Sequence, residues 1–335
     1  MLAQACFHSV CYHLPTQVTS NQDLEAVFPK WNAERILSKT GISTRHVAQA
    51  GECASDLAYE AACKLFAKVG DKVRDEIDFL VLCTQTPDYF LPTTACLLQN
   101  RLGLPTTIGA LDINLGCSGY VYGLSFAKGL LETGQASKVL LLTADTYSKF
   151  LKPEDHAVRT LFGDGAAATL LTTSQSDEVQ LGPFIFGTDG SGADKLIVRE
   201  GGLRSWPLTS QPACLSMSGA DIFAFTLKAV PPAVQKIMRL VNASIDDVDH
   251  FVFHQANEYM LEHLREKIGI PPEKFLIALE HCGNTVSSSI PIAISEADKR
   301  GAFRPGDRLL LVGFGVGYSW GATFMRWPDT GKGTL

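Results

Sequence analysis

The chain has 335 residues, 46% of them hydrophobic and 19% charged, a core-rich globular composition long enough for two domains. Its net charge of -6 argues against a nucleic-acid binder, which carries a basic surplus, and any acidic protein partner must dock on a local basic patch. The nine cysteines are odd in number and lack zinc spacing, no basic-then-apolar leader opens the chain, and no apolar run is long enough to cross a membrane; the reducing cytoplasm is the expected compartment.

Short helical patterns cover Asp23 to Phe28 and Ala33 to Ser38, and Lys39-Thr40-Gly41-Ile42 reads as a helix stop. Ser55 to Lys68 is an amphipathic helix with Ser55 as its expected N-cap. A strand from Ile77 to Cys83 follows, then a helix from Thr94 to Leu102 and a strand from Ile108 to Asn114. Cys117 comes next, then a helix from Gly119 to Glu132 and a strand from Val139 to Leu142. Phe162-Gly163-Asp164-Gly165-Ala166 opens another strand through Leu171, and the polar stretch Thr172 to Glu178 is the expected boundary, giving halves 1–174 and 175–335.

The second half repeats this order. Ala220 to Leu240 is a helix expected to break or kink at Pro231-Pro232. The strand Val248 to His254 then matches Ile77 to Cys83, and the helix Glu258 to Ile268 matches the one ending at Leu102. Phe275 to Leu279 matches the Ile108 strand, Val286 to Lys299 matches the helix after Cys117, and Arg308 to Leu311 matches Val139 to Leu142. The offset is about 166–171 residues throughout, far longer than the ~20–50-residue period of a solenoid. The pattern predicts a duplicated α/β fold with a largely parallel sheet in each half and helices of both halves packed between the sheets.

Ligands of such sheets bind where strands end and helices begin. Cys117 lies between a strand and a helix N-terminus, where the helix dipole favours a thiolate; the alternative is a buried structural cysteine. His254 follows a second-half strand, and Asn284 falls near the counterpart of Cys117, so the duplication brings all three together. Taken singly, His254 is a histidine satisfied by backbone and Asn284 a turn or N-cap residue. Gly313-Phe314-Gly315-Val316-Gly317-Tyr318 is either a tight hairpin or a turn presenting backbone N–H to an oxyanion.

Gly116-Cys117-Ser118-Gly119, His254-Gln255-Ala256-Asn257, Gly283-Asn284-Thr285, the turn at Phe314 and Phe162-Gly163-Asp164-Gly165-Ala166 together resemble the thiolase-like condensing enzymes, closest to ketoacyl-acyl carrier protein synthase III. The resemblance runs from Thr40-Gly41-Ile42 to Trp320-Gly321 and implies a five-layer αβαβα architecture of two pseudo-symmetric halves. It also implies that Cys117 takes an acyl group from a coenzyme A or carrier-protein thioester, with the N–H groups of Cys117 and Val316 as oxyanion donors. His254, as a neutral donor, and Asn284 would hold the carbonyl of a malonyl-type thioester during loss of carbon dioxide, with no metal or redox cofactor.

Around that centre, the resemblance implies substrate contacts from Phe162, from Asn257 near the pantetheine arm and from Leu91, at the bulky gate of a loop closing the partner subunit's acyl pocket in a homodimer. The family's tryptophan for the adenine of coenzyme A aligns with Arg35, Trp31 lying four residues earlier, and its partner arginine aligns with His156, next to Arg159. Two basic carrier-docking positions align with Ala224 and Tyr259, leaving Arg265 and Lys267 as candidates. Coenzyme A recognition and carrier docking are therefore expected to differ from the family's usual form.

Rival readings keep Cys117 but pass the acyl group to an oxygen or nitrogen nucleophile, or make the chain an inert partner subunit. A degradative thiolase needs a second cysteine in the last glycine turn, and Gly315-Val316-Gly317 has none. A papain-like protease shares the order Cys, His, Asn but would not explain the duplication.

Overall fold

The computed structural model describes residues 3–176, 178–205 and 212–329. The first half contains β1 (Gln4–His13), β2 (Gln17–Ser20), α1 (Asn21–Val27), α2 (Ala33–Thr40), β3 (Thr44–Val47), α3 (Ala54–Val69), β4 (Phe79–Cys83) and α4 (Thr94–Arg101). It continues with β5 (Gly109–Ile113), α5 (Gly119–Glu132), β6 (Lys138–Asp145), α6 (His156–Arg159) and β7 (Gly165–Ser174). The second half has β8 (Leu181–Thr188), β9 (Leu196–Val198), β10 (Leu215–Met217), α7 (Gly219–Leu240), β11 (His250–Phe253), α8 (Glu258–Ile268), α9 (Ser289–Lys299), β12 (Arg308–Gly315) and β13 (Ser319–Arg326).

The two main sheets have the same order and polarity. The first runs β1-β7-β6-β4-β5 and the second β8-β13-β12-β11. In each, a parallel pair (β4 with β6, β11 with β12) is followed by two antiparallel pairings; the second sheet has no counterpart of β5, and the sheets are mixed where largely parallel ones were expected. The strands are apolar on both faces because helices cover both faces. Leu80, Leu82, Leu140 and Leu142 pack outward on α3 and α4, while Val81, Val139 and Leu141 point inward. The inward face meets Tyr120 and Leu124 of α5, Ile290 and Ile294 of α9, and Val252, Leu309 and Leu311 of the second sheet. Phe251, Phe253, Leu310 and Val312 pack outward on α7 and α8. The layers are thus α3/α4, first sheet, α5/α9, second sheet and α7/α8, the five-layer αβαβα architecture with two pseudo-symmetric halves.

Four local expectations are corrected. Phe275 to Leu279 is not a strand: only Phe275 bridges Phe251, and Leu276 N–H donates to the Phe251 carbonyl (3.0 Å). The buried Gln255 side chain replaces the missing ladder. Its amide donates to the Phe253 (2.7 Å) and Leu276 (3.2 Å) carbonyls, and its oxygen accepts from Ala278 N–H (2.8 Å). The N-cap of α3 is Cys53, not Ser55; the Ser55 hydroxyl instead donates to Asp88 (2.6 Å), which also accepts the Ser55 N–H (3.2 Å). The helix α7 runs unbroken through Pro231 and Pro232, because Val230, Val234 and Ile237 hold its face on the second sheet against the proline penalty. The segment Val286 to Lys299 begins as a 3-10 turn, Val286–Ser288, before α9.

Gln255→Ala leaves buried carbonyls and an N–H without partners. It should lower unfolding free energy by about 2–4 kcal/mol, measured by denaturant titration; a loss below ~1 kcal/mol would refute the surrogate-strand role.

Candidate active site

Cys117 is 6% exposed, two residues before α5, where the first-half chain meets the far end of the second sheet. The contact is possible because two positions of β12 lack side chains. A Cβ on Gly315 would lie 2.9 Å from Cys117 Sγ, and one on Gly313 would lie 2.8 Å from Ser118 Cα. The Ser118 and Ser319 hydroxyls bond across the same junction (2.6 Å). Backbone N–H groups of Val316 and of Cys117 itself reach the sulfur. The two expected oxyanion donors therefore converge on the same atom, the sulfur.

The expected thiolate is not the resting form. Burial, and next the charge of Asp145, push the Cys117 thiol up to about 12, against the lowering effect of those N–H groups. Dehydration penalises the anion.

His254 directly follows β11 and is 2% exposed. Burial lowers its pKa to about 3, so the imidazole is neutral throughout the physiological range. Its Nδ1 lies 2.7 Å from the Ser289 Oγ, and that oxygen accepts the Gln255 N–H (3.3 Å). Where the Ser289 hydroxyl donates to Nδ1, the ring proton sits on Nε2, the tautomer that a donor role for Nε2 requires. The ring edge packs on Phe314 (5.5 Å).

Asn284 is tied at both backbone atoms. Its N–H donates to the Leu161 carbonyl (2.9 Å) and its carbonyl accepts the Gly163 N–H (3.1 Å). Its Oδ1 accepts the Val286 N–H (3.0 Å), so the Nδ2 amine is the free end of the side chain. That bond to the N–H two residues on is an Asx turn, the turn role Asn284 has when taken singly, and Thr285 is the N-cap of the 3-10 turn that follows.

Cys117, His254, Asn284, Phe162 and Asn257 line one narrow cavity of about 80 Å³, with Phe314 and Gly315. Asn257 also caps α8, accepting the Met260 N–H (2.8 Å). A larger cleft of about 960 Å³ between β1, α9 and residues 277–282 shares none of these residues and holds no part of the constellation.

Matches with known proteins bear on this geometry. The sequence profile for 3-oxoacyl-[acyl-carrier-protein (ACP)] synthase III matches residues 111–190, and the profile for the C-terminal part of the same enzyme matches residues 238–327. A beta-ketoacyl-[acyl-carrier-protein] synthase III of Clostridium tetani is 36% identical over 94% of this chain and 96% of its own length. The chain belongs to the 3-oxoacyl-[acyl-carrier-protein] synthase III family. A synthase III of Streptomyces coelicolor is 37% identical, over 94% of this chain and 95% of its own. A crystal structure of a 3-oxoacyl-(acyl-carrier-protein) synthase III superposes with a TM-score of 0.94 at 51% identity, covering 97% of this chain and all of the other.

The expected outer positions lie apart from this cavity. Arg35, His156 and Arg159 do not line the Cys117 cavity. They meet in a cluster with Trp31 and Phe28, two aromatics given no contact by the sequence reading. The Arg35 guanidinium lies over Trp31 (4.5 Å), Trp31 packs on His156 (4.9 Å), and Arg159 lies over Phe28 (5.6 Å). Trp31 thus returns to the Arg35 and His156 positions despite its sequence offset. Tyr259 packs on Phe223 and His263. Arg265 pairs with Glu262 and Glu266, and Lys267 donates to the Leu227 carbonyl (2.9 Å), so both spared cations are engaged on their own surface. Leu91 lies outside the cavity, 82% exposed, beside the exposed Tyr89 and Phe90.

The sequence reading missed Ser289. Its signal was Ser287-Ser288-Ser289, three hydroxyls opening a helix that continues apolar. All three are buried and bonded: Ser287 to Asp145, Ser288 to Thr143 (2.9 Å) and Ser289 to His254.

Because the resting thiol is protonated, iodoacetamide alkylation of Cys117 should climb about tenfold per pH unit through neutrality and not level off below pH 9. A plateau near pH 7 would show a preformed thiolate.

Proposed function

We propose that this chain condenses an acyl group with a malonyl-type thioester to give a 3-oxoacyl thioester, through an acyl-cysteine on Cys117. The observation that carries the reading is the meeting of Cys117, a neutral His254 and the free NH₂ end of Asn284 in one buried cavity. Family membership favours condensation over transfer to an oxygen or nitrogen nucleophile.

Cys117 sulfur attacks the donor thioester carbonyl, and its proton leaves with the departing thiol. The N–H groups of Val316 and Cys117 hold the tetrahedral oxyanion, and the acyl group stays on the sulfur. The malonyl thioester carbonyl then accepts from His254 Nε2 and Asn284 Nδ2. As the carboxylate carbon leaves as carbon dioxide, the electron pair of the broken bond passes into an enolate held by those two donors. The enolate carbon attacks the acyl-cysteine, a carbon–carbon bond forms, the sulfur–acyl bond breaks, and the released Cys117 thiolate takes a proton from solvent to return to the thiol. The thioester carbonyl is the electron sink, so the steps call for no metal or redox cofactor. A donor that remains neutral is needed beside a developing anion, and burial supplies that state.

The acyl donor is a coenzyme A or carrier-protein thioester and the malonyl donor a carrier-protein thioester, with Phe162 and Asn257 lining the pantetheine path. Arg35, His156 and Arg159 form the outer rim with Trp31. The chain works as a cytoplasmic homodimer with halves divided at Ser174/Gln175. Among the described residues no helix is long and apolar enough to cross a membrane. β5 is an edge strand, and the adjacent loop carries Tyr89, Phe90 and Leu91 outward from a base pinned by Asp88, which suits a reach into the partner's acyl pocket.

Variants separate the half-reactions. Cys117→Ala should form no acyl-enzyme by mass spectrometry. His254→Ala and Asn284→Ala should still acylate Cys117 but release carbon dioxide from malonyl-carrier protein at least ~100-fold more slowly. Equal loss of both half-reactions in all three would contradict the division of roles. Leu91→Phe should shift acyl preference toward shorter chains in a competition assay; unchanged preference would remove Leu91 from the gate.

A further inference from the structure

Val286 is fully buried and β-branched, yet its backbone sits at φ 54°, in the left-handed region. That conformation is unfavourable for a β-branched residue and persists only where neighbours hold it. Its N–H is the group that fixes the Asn284 side chain. The residue after it, Ser287, is held from the other half of the molecule. Its N–H donates to Asp145 Oδ2 (3.2 Å), and its hydroxyl donates to the same oxygen. Asp145 ends β6, is completely buried, and accepts the Gln85 N–H at Oδ1 (2.8 Å). Three donors therefore converge on two oxygens, a set that only a carboxylate satisfies.

We propose that Asp145 is a positioning residue for Asn284, acting through Ser287 and the strained turn at Val286. The proposal rests on the reading that Asn284 holds the malonyl thioester carbonyl. Without the clamp the turn relaxes, the Val286 N–H swings away from Asn284 Oδ1, and the amide rotates, so its amine no longer faces the cavity. A misplacement of that order is worth about 10- to 100-fold in rate.

Asp145 acts on Cys117 with the opposite sign. Its charge is the second cause, after burial, of the raised Cys117 pKa. The titratable groups facing Asp145 are Cys83, Cys117, Tyr147 and Asp164, all acids. Burial raises its own pKa to about 7, so it is largely ionised at pH 8. The carboxylate thus helps the second half-reaction while opposing ionisation of the nucleophile for the first. A residue of structural importance alone would affect both in the same direction.

The test compares Asp145→Asn with the natural protein at pH 8. In the asparagine variant the charge is removed and an amide NH₂ must face the N–H of either Ser287 or Gln85, so the three-donor set is broken in either orientation. Iodoacetamide should label Cys117 faster, acyl-enzyme should still form, and carbon dioxide release from malonyl-carrier protein should fall about 10- to 100-fold. Ser287→Ala keeps the backbone bond and should give a smaller loss in the same half-reaction, restored by Ser287→Thr. Labelling and carbon dioxide release falling in parallel would overturn the proposal, as would undiminished carbon dioxide release. Asn284→Ala separates the two possible failures. If it keeps decarboxylating, the assignment of Asn284 fails and the proposal with it; if it stops while Asp145→Asn continues, only the proposal fails.

Discussion

The site depends on how closely β12 approaches the first turn of α5. Gly313 and Gly315 let a second-half strand lie against the backbone and sulfur of Cys117, where any Cβ would collide. That contact carries the Val316 N–H to the nucleophile, and the Ser118–Ser319 hydroxyl bond locks the junction. In the proposed mechanism each half supplies what the other lacks: the nucleophile Cys117 from the first, and the carbonyl donors His254 and Asn284 from the second. Duplication makes this possible because equivalent strand ends converge at the middle layer, and the two halves then diverged in what they place there.

Dryness is the second constraint, and it acts on three groups in different ways. It keeps Cys117 as a thiol, keeps His254 neutral, and holds Asp145 near half-ionisation at neutral pH. For His254 the effect serves the chemistry, since a neutral donor needs no proton return after each turnover. For Cys117 it means that charge develops during attack, under the N–H groups already in place, rather than being stored beforehand. His254 contributes acid destabilisation, against an opposite contribution from Asp145, whose raised pKa favours the folded state as pH falls. The folded pKa of His254 lies below its unfolded value, so its share of stability is lost as pH falls from about 6.5 toward 3, where only the unfolded chain takes up the proton.

Much of this was legible from periodicity. α5 and α8 occur at the expected residues, and the repeated strand–helix order gave the matching sheets and the meeting of Cys117, His254 and Asn284. The errors share a cause: side chains or distant packing replaced a local rule. Gln255 substitutes for a strand ladder at 275–279, Asp88 from a separate loop meets the start of α3, and sheet packing carries α7 through two prolines. The thiolate expectation failed because a helix-end argument counts local charge and omits dehydration. Trp31 was set aside on alignment offset, although its ring reaches the same cluster as Arg35 and His156. The strain at Val286 leaves no mark in sequence, because a valine there looks like ordinary core.

The central claim is that one acyl group passes through Cys117 and leaves on carbon. A single-turnover experiment tests it directly: protein preloaded with a labelled acyl group is mixed with malonyl-carrier protein, while Cys117 adduct mass and carbon dioxide are followed together. The account predicts that the adduct disappears as one equivalent of carbon dioxide and one labelled 3-oxoacyl product form. An adduct that persists, or that clears to an ester or amide without carbon dioxide, would contradict it.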